Sequence, residues 1–234
     1  ERIDFTKSGD NKLTLVNNPS DWNGNTKVSG GTLQLDENLD TSGIEGTEET
    51  ASINLNGGNI TVGGPTSNPD DSLTPDDTFV GTITGAGTIN KDGASTQELI
   101  GDNNFTGTVN VNDGTLVMNF VDVATNTVNA QNGTEFGFKT PKNADITFAG
   151  DLNGPNADDA NAVLSQRGQG DIKLNEDLNG NWSLRIAAGD GEDDSGKILD
   201  IDGDPITDLD VEIDEGATFD LDDGEFSKGI TGEG

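Results

Sequence analysis

GTINKDGASTQELIGDNNFTGTVNVNDGTL, residues 87–116, is the stretch on which the fold turns. Its apolar residues come singly or in close pairs: Ile89, Leu99 and Ile100, Phe105, Val109 and Val111, then Leu116. Gly, Asn, Asp and Thr fill most of the remaining positions. A helix with one buried face needs apolar residues three and four apart, and a strand buried on both faces needs a longer apolar run. Alternation at a spacing of two, broken by turn formers, marks short strands with one buried face.

The same alternation continues outside the stretch. Leu13/Leu15, Leu33/Leu35, Ile53/Leu55, Ile60/Val62, Leu116/Met118, Val121/Val123 and Phe136/Phe138 show it, and so do Ile146/Phe148, Ile172/Leu174, Leu184/Ile186, Leu199/Ile201, Val211/Ile213 and Phe219/Leu221. No segment carries a helical stripe, so the chain reads as all-β. Leu13, Leu33 and Ile53 return at intervals of 20 residues. Short strands that recur at a fixed interval between Gly/Asn/Asp turns describe a coil that stacks on itself. Inward residues then form ladders, and outward positions are free to be Asp, Asn or Thr.

Composition agrees with a thin core. Leu, Ile, Val and Phe make up 53 of 234 residues, and the net charge is −32, which lies near the border of disorder. The ordered spacing places the chain on the folded side of that border. There is no Cys, His or Tyr. No apolar run has the length of a membrane span and no signal peptide is read, so Glu1 is expected to follow a cut site in a longer surface protein. With 12 basic against 44 acidic residues, the surface repels nucleic acid and anionic membranes. It suits divalent cations, basic partners or a salty medium, and it keeps a large β surface soluble.

The opening stretch has a partner earlier in the chain. KSGDNKLTLVNNPSDWNGNTKVSGGTLQL, starting at Lys7, aligns with KDGASTQELIGDNNFTGTVNVNDGTLVMN, starting at Lys91. Trp22 matches Phe105, Gly24 matches Gly107, Val28 matches Val111, and Gly31-Thr32-Leu33 matches Gly114-Thr115-Leu116. The offset is 84 at the start and 83 at the end, one residue having been gained or lost. A third, weaker copy runs from Gln166, with Leu178 and Gly180 at the aromatic and Gly positions.

The submotifs GAGTINKDG, NNFTG and NDGTL resemble the autotransporter-associated β-strand repeat of bacterial passenger domains. The resemblance implies a right-handed parallel β-helix displayed on or beyond a bacterial surface. Trp22 and Phe105 stand where that family often has Tyr, and no C-terminal translocation barrel is present in these residues.

One β-solenoid domain over residues 1–234 is expected, in roughly ten to twelve turns of about 20 residues. GGPTSNPDDSLTPDD, residues 63–77, carries three Pro and no strand pattern, and is expected to project as a loop. NGPNADDANA, 153–162, and GDGEDDSG, 189–196, are shorter loops of the same kind. Trp22, Phe105 and Trp182 read as core aromatics rather than as a sugar platform.

Chemistry is narrowed by what is missing. Ser-His catalysis and Cys/His zinc sites need residues the chain lacks. GEDD, 191–194, faintly resembles the paired Asp of polygalacturonases, but the His motif of that family is absent. Lyases of this fold use Arg or Lys near bound calcium. Arg185 alternates with Leu184 and Ile186 and so faces outward. Calcium is the one cofactor left open, with Asp200, Asp202 and Asp204 of DIDGDPITDLD as its ligands. The segment is not an EF-hand, because Pro205 replaces the required Gly and Val211 the final Glu.

These readings converge on a non-enzymatic extracellular or cell-surface protein, an adhesin or biofilm-matrix segment. Its partners would be a host or cell-surface glycan or protein, or copies of itself. The second reading is a self-assembling fibre or surface layer bridged by calcium, and the third a polysaccharide-degrading enzyme. Neither nucleic acid nor direct membrane insertion is expected.

Overall fold

The computed structural model describes residues 5–15, 25–28, 31–35, 52–62, 77–79, 82–121, 123–141, 144–156, 160–168, 170–175, 178–186, 197–202, 210–213, 217–222 and 230–232. Among these the secondary structure is all strand and turn, in 23 strands with no helix. Strands stack in parallel, each over the equivalent strand of the previous coil. The chain is a parallel β-solenoid. It divides into two compact units, Glu1–Met118 and Asn119–Gly234, described in turn.

In the first unit, Leu13, Leu33, Ile60, Ile89 and Val109 are successive rungs of one ladder. Leu33, Ile89 and Val109 are fully buried. The residues on either side of each rung are the polar Thr, Asn, Gln and Lys of the alternation, which is why a five-rung ladder needs so few apolar residues. A second ladder runs beside it through Phe5, Thr26, Ile53 and Ile83. The strands Ser52–Val62 and Thr82–Lys91 are long enough to serve both ladders. A register shift between Asn56 and Asn59 absorbs the corner between them.

This register corrects two expectations. Ile53 does not continue the ladder of Leu13 and Leu33; Ile60 does. Successive rungs are separated by 20, 27, 29 and 20 residues, not by a constant 20. The extra length lies between Leu35 and Ser52 and between Val62 and Asp77, where one coil runs longer before its strand rejoins the stack. Longer coils mean fewer of them than the ten to twelve predicted. The expected loop 63–77 lies outside the described residues except for Asp77, which opens the strand Asp77–Phe79.

Among the described residues of the second unit, strands stack in three ladders. One ladder runs through Val128, Leu152 and Leu178. Another runs through Phe136, Leu164, Leu184, Val211 and Ile230. The third runs through Ala124, Phe148, Leu174, Ile201 and Leu221. Where the first coils meet, four phenylalanines interlock. Phe138 lies 5.2 Å from Phe136, 5.4 Å from Phe148 and 6.1 Å from Phe120, with interplanar angles of 56° to 79°. Edges directed at faces suit the ring quadrupoles. Phe105 and Trp182, each 2% exposed, are core aromatics as read, and Trp22 lies outside the described residues.

The pair Val121/Val123 is a further correction. Both are exposed, at 40% and 59%, while Phe120 and Ala124 are buried. The inward positions move from Phe120 to Ala124, and a one-residue slip in alternation sends side chains to the opposite face. Of the expected loop 153–162, Asn153 ends the strand Leu152–Asn153, Ala162 begins the strand Ala162–Gln166, and 157–159 lie outside the described residues.

The two classes of position predict different stabilities. Phe138→Ala is expected to cost about 3–5 kcal/mol in urea unfolding, the range for a fully buried Phe. Val123→Ala should stay within about 0.5 kcal/mol, as for an ordinary surface change.

Candidate functional site

The corners of the first unit are built twice to one plan. Lys91 ends the strand Thr82–Lys91 with its side chain turned inward and fully buried. Its Nζ donates to the carbonyls of Asp92 at 2.9 Å, Gly93 at 2.6 Å and Asp113 at 3.5 Å. Lys7, 6% exposed, ends the strand Phe5–Lys7 and donates to Ser8 O at 3.1 Å and Gly9 O at 2.8 Å. A buried ammonium is tolerated only when its protons are satisfied, and backbone oxygens at a tight turn supply the partners.

The next coil closes over that turn. Thr115 N donates to Ser95 O at 3.2 Å, and its counterpart Thr32 N donates to Asn11 O at 3.4 Å. The preceding residue must be Gly in both copies. Gly114 has φ +66° and Gly31 φ +63°, a left-handed conformation that side chains disfavour. A Cβ on Gly114 would also meet Gly93 O and Ser95 O at 2.5 Å. Lys-x-Gly in one coil and Gly-Thr-Leu in the next are therefore two halves of one corner.

The family model described as passenger-associated-transport-repeat matches residues 5–35 and 89–118, the two copies of this corner. The chain carries two passenger-associated-transport repeats. Over these two stretches the chain is similar to autotransporter passenger repeats, a family of surface-exported proteins. No curated protein and no solved structure matches the chain. The third copy expected from Gln166 lies outside both matched stretches.

In the second repeat the NNFTG submotif supplies an amide bracket. Asn103, 1% exposed, accepts from Ile83 N at 2.9 Å and donates from Nδ2 to Leu99 O at 2.7 Å. It ties one coil to the next from inside the core. The second unit has a bracket of its own. Gln166, fully buried, donates from Nε2 to Thr140 Oγ1 at 2.8 Å and to Gly170 O, and accepts from Gly168 N at 3.2 Å. Glu135 Oε1 receives Arg167 through Nε and Nη2, each at 2.8 Å, and the Ser165 hydroxyl as well. Charge-assisted bonds of this kind bind the coil of Glu135 to that of Arg167.

The sequence reading missed Lys7, Lys91, Asn103, Gln166 and Glu135. Lys7, Lys91, Asn103 and Gln166 are polar residues at buried positions, which alternation alone reads as outward, and Glu135 is a half-buried outer residue whose partners come from the next coil. The detectable signal was the recurrence of Lys-x-Gly at an offset of 84 in a chain with only 12 basic residues.

The expected calcium ligands are only partly visible. Asp200 and Asp202 lie in the strand Lys197–Asp202, and Asp204 lies outside the described residues. Asp200 is in register with Lys173 on one side and Asp220 on the other, and Asp202 with Asp222. Among the described residues no group of three or more acidic side chains is gathered closely enough to hold a metal ion. Arg185 lies half-buried between the buried Leu184 and Ile186, on the outward side as read. GEDD at 191–194 lies outside the described residues.

Lys91→Met should destabilise the chain by roughly 2 kcal/mol or more in urea unfolding, since three carbonyls lose a charged donor. Lys12→Met, at an exposed position, should change it by less than about 0.5 kcal/mol.

Proposed function

We propose that the chain is a non-enzymatic extracellular bacterial surface protein, an adhesin or biofilm-matrix segment. Its solenoid holds outward faces and loops toward a glycan or protein on a host or on a neighbouring cell. The observation that supports this most is the paired repeat corner, whose Lys, Gly and Thr are all engaged in joining one coil to the next. The buried amides of Asn103 and Gln166 likewise brace one coil against the next. The acidic surface disfavours nucleic acid and lipid as partners and favours neutral or basic ones. Displayed on a non-adherent bacterium, the full chain should raise attachment to abiotic surfaces or cultured cells several-fold over the empty scaffold. Equal attachment with and without it would remove the adhesive reading.

A second reading, a calcium-bridged structural layer, is supported by the register of Asp200 with Asp220 and of Asp202 with Asp222. Neighbouring rungs lie about 4.7–4.9 Å apart, and like charges directly opposite one another are destabilising. A hard divalent cation shared between rungs would reverse that repulsion. Millimolar calcium should then raise the melting temperature by about 5 °C over chelator, and Asp200→Asn/Asp202→Asn should abolish the rise. A melting temperature indifferent to calcium would sink this reading.

A further inference from the structure

Three Asn-Gly pairs fall among the described residues of the second unit: Asn132-Gly133, Asn153-Gly154 and Asn179-Gly180. Glycine has no Cβ to hinder its amide nitrogen, so in such a pair the nitrogen can reach the Asn carboxamide. The first two pairs are held at both reacting groups. Asn132 Oδ1 accepts from Asn161 N at 2.9 Å, and Gly133 N donates to Asn161 O at 2.8 Å. Asn153 Nδ2 donates to Asn129 Oδ1 at 3.1 Å, and Gly154 N donates to Asn179 O at 2.7 Å. Asn179 continues this amide ladder, in register with Asn153 as Asn153 is with Asn129. The third pair differs. Asn179 and Gly180 are both exposed, and among the described residues no group bonds the Asn179 carboxamide or the Gly180 nitrogen.

We propose that Asn179-Gly180 is a site of spontaneous deamidation and backbone isomerisation. Gly180 N, on losing its proton, attacks Asn179 Cγ. The carboxamide nitrogen leaves as ammonia, and a succinimide ring remains. Water opens the ring at one carbonyl or the other, giving Asp or isoaspartate. One water enters and one ammonia leaves, so the step balances without a further reactant. The product matters because of what Asn179 holds. Its main-chain oxygen accepts from Gly154 N at 2.7 Å and from Trp182 Nε1 at 3.1 Å, so it joins two coils and fixes the indole. In isoaspartate that carbonyl becomes a free carboxylate, and the main chain runs through the former side chain, one carbon longer. Gly180 already fits closely over Gly154: a Cβ on it would lie 2.5 Å from Gly154 O. An added carbon is not absorbed in so tight a fit. The joint then opens around Trp182, which is 2% exposed in the intact chain. The pair is a chemical clock set into one joint of the stack.

The test is peptide mapping by mass spectrometry of the full chain, aged in mildly alkaline buffer, both folded and in urea. In the folded chain Asn179 should convert about tenfold faster, or more, than Asn132 or Asn153, whose reaction waits for local opening. In urea the three should convert at similar rates, since each is then an Asn-Gly pair in an open chain. Asn179→Gln keeps an amide and the main-chain carbonyl but cyclises slowly, because its ring would be larger. Gly180→Ala is the poorer control, since φ is +82° there. Acrylamide should quench tryptophan fluorescence more strongly in aged wild type than in fresh, and equally in aged and fresh Asn179→Gln. No conversion at Asn179 in the folded chain, or conversion no faster than at the other two pairs, overturns the proposal. Conversion at Asn179 with unchanged quenching overturns its coupling to Trp182.

Discussion

Every strand of a parallel stack depends on the strand before it for half of its backbone hydrogen bonds. That dependence sets the rest of the structure. The spacing between rungs cannot vary, so whatever stands at one position must tolerate its counterpart one coil away. Inward, this gives ladders such as Leu13, Leu33, Ile60, Ile89 and Val109. Outward, it gives amide pairs such as Asn110 on Asn90 and Asn153 on Asn129. It also explains how 53 large aliphatic and Phe residues suffice for 234. A stack that repeats its hydrogen bonds at every coil needs only a narrow apolar interior.

The corners carry the burden that a wide core carries elsewhere. A chain that turns every few residues exposes carbonyls at each turn, and those pointing inward must find donors. Lys7 and Lys91 meet that need with ammonium groups, Asn103 and Gln166 with amides. In a protein so acidic, buried lysines have a second consequence. They place positive charge inside the coil, where backbone dipoles hold it away from the outer carboxylates.

Charge and periodicity then divide the surface. The strands of the second unit carry Glu135, Asp145, Asp171 and, in the later coils, the in-register pairs Asp200/Asp220 and Asp202/Asp222. The two main ladders of the first unit carry Thr, Asn and Lys instead.

The strand type, the parallel stacking and the paired repeat were all legible in the sequence, because each follows from local rules. Alternation at two sets a one-faced strand, Gly and Asn set turns, and the alignment of Lys7 with Lys91 set two copies of one unit. The stacking partner of each strand was not legible. Leu33 is 20 residues from Ile53 and 27 from Ile60, and only the assembled coil selects Ile60, since coil length is free to grow at a corner while rung spacing is not. The same reason hid the burial of Lys91 and the exposure of Val123. Whether a position faces in or out depends on how many residues the previous corner consumed, and that is decided when the coils close on one another.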